Sequence, residues 1–150
     1  MISYKSSFST ERLLIRKLEY SDAEDIFSTY ASNANCTRHI SWPTHQRIDD
    51  THVFLKAKIE GWADGPDHTY AIVDKVTNQF IGSVNFVTEG RRVFVGYIIA
   101  PNMEGKGFAS EAARCMVDYL YSLNYFSKLW ACCAVENEAS AKVLENAGME

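Results

Sequence analysis

The apolar residues of this chain change period several times, and each change marks a new element. Leu13, Ile15 and Leu18 in TERLLIRKLEY predict a strand. At Ser21 the period changes, and Ser21-Asp22-Ala23-Glu24 has the form of a capping box, so a helix is predicted from there. A polar loop carrying Trp42 and Pro43 leads to a second helix, in which Phe54, Leu55, Ile59 and Trp62 share one face. Asp49 and Asp50 suit its positive N-terminal end, and Gly61, Gly65 and Pro66 stop it. Three extended runs follow, HTYAIVD, QFIGSVNFV and RRVFVGYIIA, divided by turn residues at Asn78 and at Glu89-Gly90; they predict an antiparallel meander. From Gly107 onward, Ala109, Ala112, Ala113, Met116, Val117 and Leu120 fall at helical spacing, and the pattern fades near Asn124. KLWACCAV reads as another strand, and NEASAKVLENAG as a last helix with Asn137 as cap and Gly148 as stop. This order predicts an α/β (α+β) fold, a mixed central sheet with helices on both faces.

Composition narrows the class. A chain of 150 residues, 47% hydrophobic and 23% charged, suits one well-cored domain spanning 1–150. A net charge of -4 argues against nucleic acid as the main partner and mildly favours a cationic one. The N-terminus has no basic start followed by an apolar core, and no apolar run reaches spanning length, so a cytoplasmic protein with no membrane partner is expected. Cys36, Cys115, Cys132 and Cys133 form no CxxC pair and have no histidine at zinc-ligand spacing; reduced thiols and no metal are expected. Histidines 39, 45, 52 and 68 show no nucleophile-base pattern and are read as surface or loop residues. Phe86, Phe94 and Tyr97 are read as core or sheet lining, and Trp42, an aromatic in a loop, as an acceptor-site candidate.

The chemistry concentrates in PNMEGKGFASEAARCMVDYLYSL, residues 101–123, where an apolar strand runs into Gly105-Lys106-Gly107 and then a helix. Such a junction gathers unpaired N–H groups at the positive end of a helix dipole and suits an anion, phosphate above all. Glycines admit the backbone angles of a compact N–H nest and let a phosphate approach closely. The spacing is neither that of a nucleoside-triphosphate loop nor that of a dinucleotide fingerprint, since Ser110 stands where the latter needs its third glycine. A tight turn with no ligand is the plain alternative.

The stretch resembles the acyl-CoA pyrophosphate loop of the GNAT superfamily of N-acetyltransferases, Gln/Arg-x-x-Gly-x-Gly/Ala, on Glu104, Gly105, Lys106, Gly107, Phe108 and Ala109. Glu104 departs from the family's Gln or Arg. TERLLIRKLEYSDAEDIF, ISWP, IGSVNF, VGYIIAP and ENEASAKVLENAGM extend the resemblance over nearly the whole chain, toward the ribosomal-protein alanine N-acetyltransferase (Rim-type) branch. The resemblance implies acetyl-CoA as co-substrate, no metal, and an amine acceptor. It implies that Ile98, Ile99 and Ala100 hold the pantetheine arm by backbone contacts, that the Gly105 to Ala109 backbone holds the diphosphate, and that Asn137 also binds the cofactor. Ser140, three residues on from Asn137, is implied as proton donor to the departing thiolate. The tyrosine that many members place seven residues after the asparagine is Leu144 here, and the glutamate five residues before it is Cys132. No direct carboxylate base is evident; Glu89, Glu104 and Glu136 stand unranked as bases acting through water.

The bland readings stay open beside these: Asn137 caps a helix whatever the function, and Ser140 suits any first turn. The family's domain continues with two further strands that this chain, ending at Glu150, does not supply. A second copy of the chain covering the sheet edge near Trp130, as a homodimer, or a truncated form of a longer protein, is the expectation. The function expected is acetyl transfer from acetyl-CoA to a primary amine, a protein N-terminus or a small amine. The alternatives are a non-catalytic acyl-CoA-binding module and a domain with no ligand.

Overall fold

Leu13 and Ile15 are fully buried while the alternating Leu14 and Arg16 are half-buried, so the first predicted strand turns one row inward. The computed structural model describes residues 4–33, 44–62, 65–103 and 105–131. Six strands form one sheet in sequential order: β1 (Ser7–Ser9), β2 (Leu13–Lys17), β3 (Asp67–Asp74), β4 (Phe80–Glu89), β5 (Arg92–Ile99) and β6 (Lys128–Ala131). Neighbours are antiparallel except β5 and β6, which are parallel. The predicted meander is β3 to β5, with Asn78 and Gly90 in the left-handed conformation at its turns. The sequence pattern misses β1, whose single apolar residue, Phe8, gives no period to detect.

A register shift between Ile72 and Val73 leaves Ile81 as an extra residue on β4. That bulge shifts the alternation by one residue, so Ile81 joins Val84 and Phe86 on one face while Phe80 turns to the other. On one face, Leu13, Ile15, Ile72, Ile81, Val84 and Phe86 pack with Phe108, Ala112, Met116 and Leu120 of α3 (Phe108–Ser122). On the other, Leu18, Ala71 and Phe80 pack with Ile26, Tyr30, Ala31 and Leu55. The buried residues of α3 follow the predicted spacing, and each fully buried Met or Leu contributes about 1.5–3 kcal/mol of transfer free energy.

The first helical segment begins earlier than its capping signal predicts. A 3-10 turn (Tyr20–Asp22) leads into α1 (Ala23–Ile26), which widens into a π-helical turn (Phe27–Ala31). The capping box lies two residues earlier, with Glu19 as the cap and Asp22 as its third residue, whose Oδ2 accepts from the Glu19 N–H at 2.7 Å, while Ser21 stays exposed. Arg16 decides this: its Nη1 and Nη2 both donate to the buried Asp22 carboxylate at 2.9 Å, a fork that neutralises the charge only with Asp22 turned inward. The second helix, α2 (Ile48–Glu60), starts as predicted, with Asp50 Oδ2 accepting from the Gln46 N–H at 2.9 Å and the Arg47 N–H at 3.2 Å.

Two of the histidines read as surface or loop residues are buried, His45 in the loop before α2 and His68 within a strand. His45 Nδ1 pairs with Thr51 Oγ1 at 2.7 Å. His68 lies stacked on Phe86, with rings 4.9 Å apart, between Tyr4 and Trp62, and its buried Nδ1 finds no hydrogen-bond partner among the described residues. The correction has a simple cause: His68 is the second residue of β3, where both faces of the sheet are covered. Burial pushes both imidazoles below their ordinary 6.5, with Asp50 partly opposing at His45 and the backbone of Pro66 and Trp62 partly opposing at His68. An imidazole that binds its proton more weakly when folded costs stability once the unfolded form protonates, so stability is complete above pH 6.5 and falls as pH drops below it. Urea midpoints should therefore fall between about pH 7.5 and about pH 5.5, and fall less in His68→Phe, which keeps the ring stack without the proton. An equal fall in both proteins would place the pH dependence elsewhere.

Candidate active site

β5 delivers the chain through a 3-10 turn (Pro101–Met103) into the glycine loop and α3. Gly105 and Gly107 both adopt left-handed backbone angles, φ 81° and 83°, and Gly107 is the N-terminal cap of α3. The junction is a shaped loop at the mouth of a fifteen-residue helix. Gly105, Lys106 and Gly107 are exposed and Phe108 is buried beneath them, so the first free N–H groups of α3 lie at the surface on a packed base. The backbone fits a diphosphate: two left-handed residues leave room and direct N–H groups outward, and nothing lies within 4 Å of where a Cβ on Gly105 would sit.

The β5 backbone divides its groups between two sides. The Ala100 N–H donates to the Ile81 carbonyl at 2.8 Å, and the register sets Ile98 opposite Ser83 and Ile99 opposite Gly82. Antiparallel pairing alternates, so Ile98 also turns its N–H and C=O toward β4, while Tyr97 and Ile99 turn theirs away, to the β6 side. β6 pairs with β5 over Arg92 to Val95, the half remote from the loop. Glu89, opposite Arg92, stands at that remote end as well. Ile98 and Ile99 point their side chains into different cores, Ile98 toward α1 and Ile99 toward α3.

A group that the sequence reading missed sits directly against the loop. Glu111, in the first turn of α3, accepts from Thr10 Oγ1 at 2.5 Å, from the Arg12 N–H at 2.9 Å and from Arg12 Nε at 2.7 Å. Burial alone would raise the Glu111 carboxyl, but these hydrogen bonds and the guanidinium charge outweigh it and hold the group below its usual range. Arg12 Nη1 also donates to the Lys106 carbonyl at 2.8 Å, and its guanidinium carbon lies 4.4 Å from the centre of the Phe108 ring. Arg12 and Glu111 are 99 positions apart, so no local pattern links them.

Asn137, Ser140 and Glu104 lie outside the described residues, as do Trp42, Cys132, Glu136 and Leu144. Among the described residues no cluster of histidine, cysteine or acidic side chains could hold a metal, and no helix is long and apolar enough to cross a membrane.

A mixed sheet whose fifth strand leads through a 3-10 turn into a left-handed glycine pair, with a long helix opening behind it, is the arrangement on which the chain's family can be judged. Residues 12–150 match the family model described as Acetyltransferase (GNAT) domain, and the chain belongs to that family. It is an acetyl-CoA-dependent N-acetyltransferase. The chain is 29% identical over 140 residues to an uncharacterized N-acetyltransferase of Bacillus licheniformis, covering 91% of this chain and 78% of the relative. It is 25% identical over 166 residues to the ribosomal protein uS5-alanine N-acetyltransferase of Escherichia coli, covering 100% and 84%. The crystal structure of a GNAT-family acetyltransferase from Bacillus anthracis superposes with a TM-score of 0.85 at 26% identity, covering 96% of this chain and 83% of that one.

Proposed function

We propose that the chain acetylates a primary amine, a protein N-terminus in preference to a small amine, in the cytoplasm. The observation that carries the cofactor assignment is the left-handed Gly105 and Gly107 pair at the mouth of α3. The preference for a protein N-terminus draws on the likeness to the Escherichia coli uS5-alanine enzyme, and the net charge of -4 suits a cationic acceptor.

In this reading the backbone from Gly105 to Ala109 binds the diphosphate of acetyl-CoA, with Lys106 adding a cation. Of Ile98, Ile99 and Ala100, Ile99 has its N–H and C=O on the side away from β4, so it pairs with the pantetheine arm and its N–H is the donor to the developing oxyanion. Ala100 and Ile98 set the position of Ile99 through their bonds to β4. The neutral amine attacks the thioester carbonyl, the C–S bond breaks, the thiolate leaves with the Ser140 hydroxyl proton, and the proton lost from the nitrogen returns through water to the Ser140 oxygen. Asn137 binds the cofactor from the same helix start. A homodimer that covers the edge of β6 completes the assignment.

Ser140→Ala is expected to lower kcat by roughly 100-fold while the acetyl-CoA affinity stays within about twofold. The measurement is steady-state transfer to N-terminal alanine peptides and to polyamines, beside calorimetric titration with acetyl-CoA. Equal rates in both proteins would remove Ser140 from the chemistry. Tight acetyl-CoA binding without transfer to any acceptor would instead favour a non-catalytic acyl-CoA-binding module.

A further inference from the structure

We propose that Arg12 is a further cofactor-binding residue, which braces the glycine loop through Glu111 and the Lys106 carbonyl and presents its remaining edge to the diphosphate; this rests on the acetyl-CoA reading above. Three contacts fix the guanidinium and a fourth holds the backbone beneath it. Nε is held by Glu111 Oε1, Nη1 by the Lys106 carbonyl, the plane by the Phe108 ring, and the residue's own N–H by Glu111 Oε2. The third nitrogen, Nη2, makes no hydrogen bond among the described residues. It stands 3.2 Å from where a Cβ on Gly107 would be, directly over the residue that caps α3.

The arrangement explains why so many contacts converge on one arginine just before β2. A loop built on two left-handed glycines is soft, because glycine restricts the backbone least. Its conformation is held by an anchor at the middle residue, the Lys106 carbonyl, from a side chain that is itself tied to the helix behind the loop. Glu111 neutralises part of the Arg12 charge and orients the fork, so Nη2 points at the loop rather than into solvent. Thr10 in turn fixes Glu111 from the other side. Lysine could not do the same work, since one ammonium cannot reach Glu111 and the Lys106 carbonyl while lying flat on Phe108. Glu104 replaces the cation or amide that the family's loop places first, and Arg12 supplies a positive edge to the same loop from a different strand.

The test compares acetyl-CoA with S-acetylpantetheine, a donor that carries the thioester and pantetheine amides but no diphosphate. In Arg12→Ala, Kd and KM for acetyl-CoA are expected to rise by about 10- to 100-fold, with kcat at saturation within about twofold. The kcat/KM for S-acetylpantetheine should stay unchanged. A merely structural role would depress both donors and kcat alike, and that result overturns the proposal. Arg12→Lys keeps a cation at the same position and guards against a misfolded alanine variant; it is expected to lose most of the same affinity, and wild-type affinity in folded Arg12→Lys overturns the proposal too. If the wild-type chain binds no acetyl-CoA, the cofactor reading itself fails. Wild-type binding with unchanged affinity in Arg12→Ala removes Arg12 alone.

Discussion

Gly107→Val should weaken acetyl-CoA binding by on the order of 100-fold and leave the domain folded. Gly107 sits at φ 83°, where an L-residue pays roughly 1–2 kcal/mol and a β-branched one is a genuine outlier. Its Cβ would also stand 3.2 Å from Arg12 Nη2, tighter than an ordinary contact. Both strains are relieved by rotating the cap toward negative φ, which turns the first N–H groups of α3 away from a common focus. One or two lost charge-assisted hydrogen bonds, at about 1.5–3 kcal/mol each, give the expected factor. The fold should survive because Gly107 is exposed and the core beneath it begins at Phe108. Calorimetric titration with acetyl-CoA, with circular dichroism as the control, checks it; undiminished affinity in a folded variant would mean that this loop does not hold the diphosphate.

Gly82→Ala should instead damage the fold at the place where β5 reaches the site. A Cβ on Gly82 would lie 2.2 Å from the Ile98 carbonyl oxygen and 3.0 Å from the Ile99 Cα, and both are backbone atoms that cannot swing aside. The pairing of β4 with β5 must then open around Ile98 and Ile99. Overpacking of this kind costs about 1–3 kcal/mol or more, and for a chain of this size each kcal/mol lowers the melting temperature by roughly 2–4 °C. A fall on the order of 5–10 °C is expected, with transfer rates reduced even at temperatures where the variant is folded. A melting temperature within about 1 °C of wild type would show that the strands absorb the methyl group, and that their spacing here is not a constraint. Gly107 and Gly82 thus separate two roles of glycine, one in shaping a loop and one in letting two strands approach.

The neighbourhood of these glycines was partly legible in advance. β2 to β5, α2 and α3 follow from apolar period and turn residues, because each signal lies within a window of about ten residues and burial on one face imposes it. The same logic reads the glycine loop as an anion cradle, since left-handed residues, helix dipole and free N–H groups are all local properties of Gly105 to Phe108. The first helix shows where local logic fails. Ser21 and Glu24 spell a capping box, yet the box forms between Glu19 and Asp22, because Arg16 on the preceding strand supplies a bidentate partner that lets the Asp22 carboxylate be buried.

The tertiary structure alone decided the rest. His68 reads as a loop residue until β3 carries it between Trp62, Tyr4 and Phe86. The bulge at Ile81, which shifts the alternation of β4 by one residue, exists only in the pairing of β3 with β4. Which of Ile98, Ile99 and Ala100 has backbone groups to offer depends on the register against β4, fixed by the Ala100 to Ile81 bond. Arg12 and Glu111 meet across 99 residues because β2 and α3 pack on one side of the sheet. The sequence by itself determined β2 to β5, α2, α3, the left-handed turn at the glycine loop and the family, all carried by local period and conformation; which side chains and backbone groups converge on that loop was set by strand register and packing, which no local window contains.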